Sequence, residues 1–77
     1  MPSSTLTVRG DHITLVQAVK RVGLAETGGQ AKHLVRTGTV RVNGEAEDRP
    51  ARKLHPGDRF GIEDQEWLLV AETDDPI

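Results

Sequence analysis

The residues best suited to chemistry in this 77-residue sequence are cations that follow a pair of glycines. The stretch Thr27-Gly28-Gly29-Gln30 has the spacing of a helix capping box, with a hydroxyl and an amide three residues apart. A helix start carries unpaired N–H groups and about half a positive charge, and glycine leaves those groups accessible. Lys32, His33 and Arg36 follow on the exposed side of the same predicted helix. We therefore predict a phosphate-binding surface here.

Two further interpretations apply to this helix start. Gly28 and Gly29 could simply permit a tight turn between helices or a close backbone contact, because glycine tolerates conformations that other residues avoid. Recognition helices that read DNA bases use side chains at the helix N-terminus, where this sequence has glycine. Gln30 is then the one candidate for a specific contact with a base.

A second group of cations lies in the segment Arg49-Pro50-Ala51-Arg52-Lys53. Proline cannot donate to a sheet, so the segment is predicted as a loop that holds three cations in the open. Glu47 and Asp48 are adjacent and could pair with these cations, although such carboxylates are usually solvated. Because a second basic group follows the anion-ready helix start, we predict that Arg49, Arg52 and Lys53 also contact phosphate.

The formal net charge of −2 conceals a segregation of charge along the chain. Nine of the ten Lys and Arg residues lie between Lys20 and Arg59, with five acidic residues, whereas residues 60–77 contain six acidic residues and no Lys or Arg. This distribution predicts one anion-facing side. It also leaves an alternative function open, in which the acidic C-terminal part docks a basic protein partner.

The sequence offers little for catalysis, and we predict no enzyme, metal site or cofactor. His12, His33 and His55 fall in three different predicted elements, and the chain contains no cysteine or tyrosine. With no long apolar run and no secretory signal, a cytoplasmic protein without a membrane partner is expected. Phe60 and Trp67 fit the core pattern of strands, so an exposed stacking platform for single strands is not expected.

The elements indicate an α+β domain, with two short helices followed by a small, mostly antiparallel sheet. Thr14 and Gln17 have capping-box spacing for the first helix, and the second runs from its cap at Thr27 to Gly38. Asn43-Gly44 is typical of a two-residue hairpin. We predict one domain over residues 1–72 and an acidic, flexible tail over residues 73–77.

Two spaced motifs lie between Ile13 and Ile62: Ala31-x-x-Leu34-Val35-x-x-Gly38-x-Val40-x-Val42-Asn43-Gly44 and Lys53-Leu54-x-Pro56-Gly57-Asp58. Together with the helix pair, these motifs closely resemble the S-four RNA-binding domain, named for the fourth protein of the small ribosomal subunit. Gly28-Gly29-Gln30-Ala31-Lys32 resembles a group of small stand-alone bacterial members of this family.

The resemblance implies binding to structured RNA, either ribosomal or transfer RNA, with the ribosome as a possible partner. We expect the protein to be a monomer. It places Lys32 and Arg36 at basic helix positions and Arg49, Arg52 and Lys53 in a basic loop. The chain departs from the family at Gly28 and Gly29, where arginines are usual, and in the less basic sequence of its loop. A second alternative function is that of a DNA-binding helix pair, which would bind duplex DNA as a dimer.

Overall fold

The helices and strands of the computed structural model, which describes residues 3–72, form an α+β fold. In chain order the elements are β1 (Ser3–Val8), β2 (Ile13–Thr14), α1 (Leu15–Arg21), α2 (Gly28–Arg36), β3 (Arg41–Val42), β4 (Glu45–Ala46), β5 (Lys53–Leu54), β6 (Arg59–Ile62) and β7 (Gln65–Ala71). The predicted fold class is confirmed. The predicted flexible tail, residues 73–77, lies outside the described residues.

Helix α1 begins with the capping box that its sequence predicts. Oγ1 of Thr14 accepts a hydrogen bond from the N–H of Gln17 at 3.3 Å, and Oε1 of Gln17 accepts one from the N–H of Thr14 at 3.0 Å. The apolar faces of the two helices then pack in one core, through Leu15, Ala18, Val19, Ala31 and Val35. This core fixes α2 and leaves its opposite face to solvent.

The sheet joins the two ends of the described chain. Its five strands have the order β1-β7-β6-β3-β4, and every neighbouring pair is antiparallel except β1 and β7. Ser3 pairs with Glu66 and Val8 with Ala71, so β1 runs parallel along most of β7. A separate two-stranded sheet pairs Thr14 with Lys53, which attaches the start of α1 to the segment after the hairpin.

Two local predictions about the sheet are confirmed. Asn43 and Gly44 have φ angles of 53° and 87°, the left-handed pair that a two-residue hairpin of type I′ needs. Phe60 and Trp67 are buried and face each other across β6 and β7, with ring centroids 5.5 Å apart. Both aromatic rings therefore belong to the core.

We predict that Gly61→Ala lowers the free energy of unfolding by roughly 2 kcal/mol or more. A Cβ at Gly61 would lie 2.7 Å from Cα of Glu66 and closer still to the carbonyl oxygen of Gln65, and these backbone atoms cannot move aside cheaply. Urea unfolding measures the change. Gly28→Ala is the matched control, because a Cβ there meets open space. Equal stability of the Gly61→Ala and native chains would contradict the prediction.

Candidate nucleic-acid interface

Helix α2 begins with two backbone N–H groups for which residues 3–72 provide no hydrogen-bond acceptor. Oγ1 of Thr27 accepts a hydrogen bond from the N–H of Gln30 at 3.1 Å, and the Thr27 carbonyl accepts one from the N–H of Ala31 at 2.9 Å. The N–H groups of Gly28 and Gly29 precede these donors and form no hydrogen bond among the described residues. Two donors at the positive end of the helix dipole are therefore free for an anion.

The start of α1 differs, because the chain itself closes it. The N–H of Leu15 donates to the carbonyl of Arg52 at 2.8 Å, and the N–H of Val16 donates to the carbonyl of Pro50 at 3.0 Å. With Thr14 capping the third N–H, the first turn of α1 is satisfied. Of the two helix starts, only that of α2 is open to a ligand.

Neither a tight turn nor a close contact requires glycine at the start of α2. Gly28 and Gly29 do not have the positive φ angles found at the glycines of the turns. A Cβ at Gly28 would meet no atom within 4 Å, and one at Gly29 would meet only Oγ1 of Thr27, at 3.9 Å. The interpretation that a tight turn or a close backbone contact requires these glycines is therefore wrong.

Gln30, the predicted base reader, takes part in the cap of α2. Its Oε1 accepts a hydrogen bond from the N–H of Glu26 at 2.9 Å, one residue before the expected partner, Thr27. The Gln30 side chain is exposed, and its amide NH₂ group keeps two donors. A contact from Gln30 to a base would therefore have to use these donors rather than the carbonyl oxygen.

The predicted cations of α2 form a stripe along its exposed face. Gly28, Lys32 and Arg36 are spaced four residues apart, which places them one above the other on a helix. Lys32, His33 and Arg36 are all exposed, while Ala31 and Val35 are buried on the opposite face. The stripe extends about 12 Å along the axis, at 1.5 Å per residue, from the open helix start to Arg36.

At the end of this stripe, α2 meets the basic segment that follows the hairpin. Arg36 and residues 48–53 line one concave surface with a volume of about 750 Å³. The structure thus brings together four of the predicted site residues: Arg36, Arg49, Arg52 and Lys53. The other five (Gly28, Gly29, Gln30, Lys32 and His33) lie outside this concavity, on the earlier turns of α2.

The expectation that the cations of the segment 49–53 stand in the open holds for Arg49 and Lys53 but is wrong for Arg52, whose side chain is only 33% exposed. Glu47, expected to be solvated, is only 6% exposed and lies beneath the segment. Its carboxylate accepts hydrogen bonds from Nε of Arg49 at 2.9 Å and from Nη1 of Arg52 at 2.7 Å. Lys53 is exposed but belongs to strand β5 rather than to a loop.

These two guanidinium groups determine the protonation of Glu47. Hydrogen bonds from Arg49 and then Arg52 lower the pKa of Glu47 from 4.5 to about 2, against the opposing effect of burial. The same contact raises the pKa of Arg49. Glu47 is therefore ionised throughout the physiological range, and it neutralises part of the charge that the loop presents. The side chain of Arg49 is 74% exposed and that of Arg52 33%, so Arg49 is the more available to a ligand.

Other classes of site find little support among residues 3–72. No group of three His, Cys, Asp or Glu side chains within this range could hold a metal ion. Nor does this part of the chain contain a helix with the length and apolar character needed to cross a membrane.

We predict that Glu47→Gln destabilises the protein by up to roughly 3 kcal/mol at pH 7, because a carboxyl whose pKa is lower in the folded state stabilises folding. That contribution is complete above the unfolded pKa of 4.5 and is lost as the pH falls toward 2. Urea unfolding between pH 7 and pH 3 should show a smaller loss of stability for Glu47→Gln than for the native chain.

Asp48→Asn is the matched control for this series. Asp48 is exposed and adjacent, so its substitution removes the same charge without breaking the contacts of Glu47. We expect it to change stability at pH 7 by less than about 0.5 kcal/mol. If the free energy of unfolding falls equally with pH in the native and Glu47→Gln chains, Glu47 does not fix the loop.

The family model described as the S4 domain matches residues 6–70. Small ribosomal subunit protein uS4 of Anaeromyxobacter sp. (strain K) is 34% identical over 70 residues, which is 91% of this chain and 31% of that protein. The uS4 protein of Anaeromyxobacter dehalogenans matches with the same figures.

A third relative comes from a different bacterium. The uS4 protein of Latilactobacillus sakei subsp. sakei is 39% identical over 56 residues, covering 73% of this chain and 28% of the relative. The chain thus spans less than a third of the length of the curated relatives that it matches. The family match and these identities show that the chain belongs to the S4 domain family, which confirms the resemblance to the S-four RNA-binding domain.

Proposed function

We propose that this chain binds structured ribosomal RNA through the phosphate backbone and the shape of the RNA, and that it is not an enzyme. The observation that carries the proposal is the continuous basic surface from the open start of α2, along Lys32 and Arg36, to the concavity beside Arg49. Membership of the S4 domain family and the ribosomal relatives support the same class of ligand. The proposal includes that the protein is a cytoplasmic monomer and that it acts on the ribosome.

Each part of the surface would make a different kind of phosphate contact. The N–H groups of Gly28 and Gly29 would bind a phosphate oxygen directly, helped by the helix dipole. Lys32 and Arg36 would contact phosphates farther along the strand, and Arg49 would use the guanidinium donors that Glu47 leaves free. Arg52 is more enclosed, so it would act mainly by holding Glu47 and the loop in place.

Recognition of paired RNA by shape fits these groups better than base stacking does. Phe60 and Trp67 are buried in the sheet, so neither ring is available to stack on an unpaired base. The helix start offers backbone rather than long side chains, which favours contact with phosphate over reading of base edges. On α2, a specific contact with a base would be limited to the amide of Gln30.

The alternative function, docking of a basic protein through the acidic C-terminal part, draws no support from the relatives. Part of that segment, residues 73–77, lies outside the described residues. A chain that ends at Glu72 separates the two functions, because it keeps the whole basic surface. It should bind RNA as the native chain does, whereas a docking module would lose two of the six acidic residues of this part and bind its partner more weakly.

Binding to a fluorescently labelled RNA hairpin tests the proposal, with the matching DNA duplex as competitor. We expect the hairpin to bind more tightly, with a slope of log K against log salt of about −3 to −5 for roughly four to six phosphates. Lys32→Gln/Arg36→Gln and Arg49→Gln/Lys53→Gln should each reduce that slope by about 1.4 to 1.8. These pairs leave Arg52 intact, so the loop stays anchored to Glu47.

Arg41→Gln/Arg59→Gln is the matched control for charge. Both arginines are exposed on the sheet, away from the concavity, and their loss changes the net charge by the same two units. We expect this control to retain most of the native slope and affinity. A salt-independent affinity, or equal binding of the DNA duplex, would contradict the proposal.

The glycines of α2 provide a second test, in which stability and binding change in opposite directions. Gly28→Ala and Gly29→Ala should each stabilise the protein by about 0.5–1 kcal/mol, because alanine fits these positions and restricts the unfolded chain. The same changes should weaken RNA binding severalfold, since a methyl group shields the free N–H donors. Urea unfolding and hairpin binding measure the two effects. Unchanged affinity in both variants would remove the helix start from the site.

A further inference from the structure

A second basic concavity lies between the end of β1 and the exposed face of α1, outside the surface described above. Its volume is about 520 Å³, within the range of sites that hold small molecules. Seven residues line it: Val8, Arg9, His12, Ile13, Gln17, Lys20 and Arg21. Of these, only Val8 and Ile13 are buried, so they form the floor, and the five polar residues form the rim.

The chemistry of this cleft combines an apolar floor with a cationic rim. None of its lining residues is acidic, although the chain as a whole carries a net charge of −2. Arg9 donates from Nε to Glu72 at 2.8 Å, yet its side chain is 80% exposed and keeps other guanidinium donors. Lys20 and Arg21 form no ion pair within the described residues. Such a cleft suits a ligand that is flat and apolar on one side and negatively charged on the other.

The two-stranded sheet links the cleft to the surface proposed to bind RNA. Ile13, in its floor, pairs with Leu54 across the two-stranded sheet, and Thr14 pairs there with Lys53. The ring of His12 lies 6.0 Å from that of His55, between centroids, next to the same two strands in the chain. An RNA strand that leaves the concavity beside Lys53 would therefore reach the cleft by passing the start of α1.

We propose that this cleft binds a single unpaired nucleotide of the RNA, an inference that rests on the proposed function. The phosphate lies against Lys20 and Arg21, and the base lies over Val8 and Ile13 with its edge toward His12 and Gln17. A base inside a helix is stacked between its neighbours and cannot reach an apolar floor. The ligand is therefore a bulged or looped nucleotide beside the helical segment that α2 contacts.

Two labelled hairpins of equal length test the inference, one fully paired in its stem and one with a single unpaired nucleotide in the stem. We expect the native chain to bind the second about tenfold more tightly, because burial of part of the apolar face of a base contributes on this scale. Lys20→Gln/Arg21→Gln should remove the difference and leave binding of the paired hairpin within about twofold. The control Arg41→Gln/Arg59→Gln should keep the difference.

The outcomes separate this inference from the function on which it rests. Salt-dependent binding of both hairpins with equal affinity would overturn the cleft and leave the RNA-binding function standing. Loss of the difference in Arg41→Gln/Arg59→Gln as well as in Lys20→Gln/Arg21→Gln would also overturn it, since total charge would then be the cause. Failure of the native chain to bind either hairpin would overturn both.

A second measurement reports on the cleft without any variant that could affect folding. The methyl groups of Val8 and Ile13 lie at the floor of the cleft. In the native chain, their NMR signals should shift on titration with adenosine 5′-monophosphate. Inorganic phosphate is the comparison, and it should shift the backbone signals of Lys20 and Arg21 but not these methyl signals. Methyl shifts that are equal for the two ligands, or absent for both, would show that the floor does not receive a base.

Discussion

The basic surface around residues 48–53 depends on the ion pairs that the buried carboxylate of Glu47 forms with Arg49 and Arg52. A charge with 6% exposure is tolerated only when it is paired, and here Arg49 and Arg52 supply that pairing at 2.9 Å and 2.7 Å. The pair fixes the segment after the hairpin, and the carbonyls of Pro50 and Arg52 can then accept the first N–H groups of α1. One ion-pair network therefore sets both the shape of the basic loop and the position of the first helix.

The two helix starts show how the same physical requirement leads to different results. Every helix leaves its first N–H groups without partners inside the helix, and they need acceptors from elsewhere. The chain provides the acceptors for α1, but it leaves the N–H groups of Gly28 and Gly29 exposed to solvent. Water satisfies these donors at little cost, and a phosphate can replace that water. The open start is therefore compatible with stability and available for binding.

Local chemistry could be predicted from the sequence, whereas long-range partners could not. The cap at Thr14, the Asn43-Gly44 hairpin and the exposed cations of α2 each depend on residues within a few positions of one another. The burial of Glu47 depends on a loop that folds back over α1, and a carboxylate beside two arginines has the same pattern when it is solvated. The parallel pairing of β1 with β7 joins residues some 63 positions apart, which periodicity cannot reveal.

The same network limits how the protein can bind a polyanion. Glu47 neutralises part of the charge of Arg49 and Arg52, so a large excess of positive charge does not build up at the loop. Non-specific attraction to a polyanion grows with the number of free cations, so this pairing reduces the contribution of the loop to it. Under the proposed function, binding would rely on donors held in fixed positions: the open N–H groups of α2, the stripe through Lys32 and the oriented guanidinium of Arg49. Fixed donors favour a ligand whose phosphates match their spacing, so the ion pair would favour selectivity toward one RNA shape over total affinity.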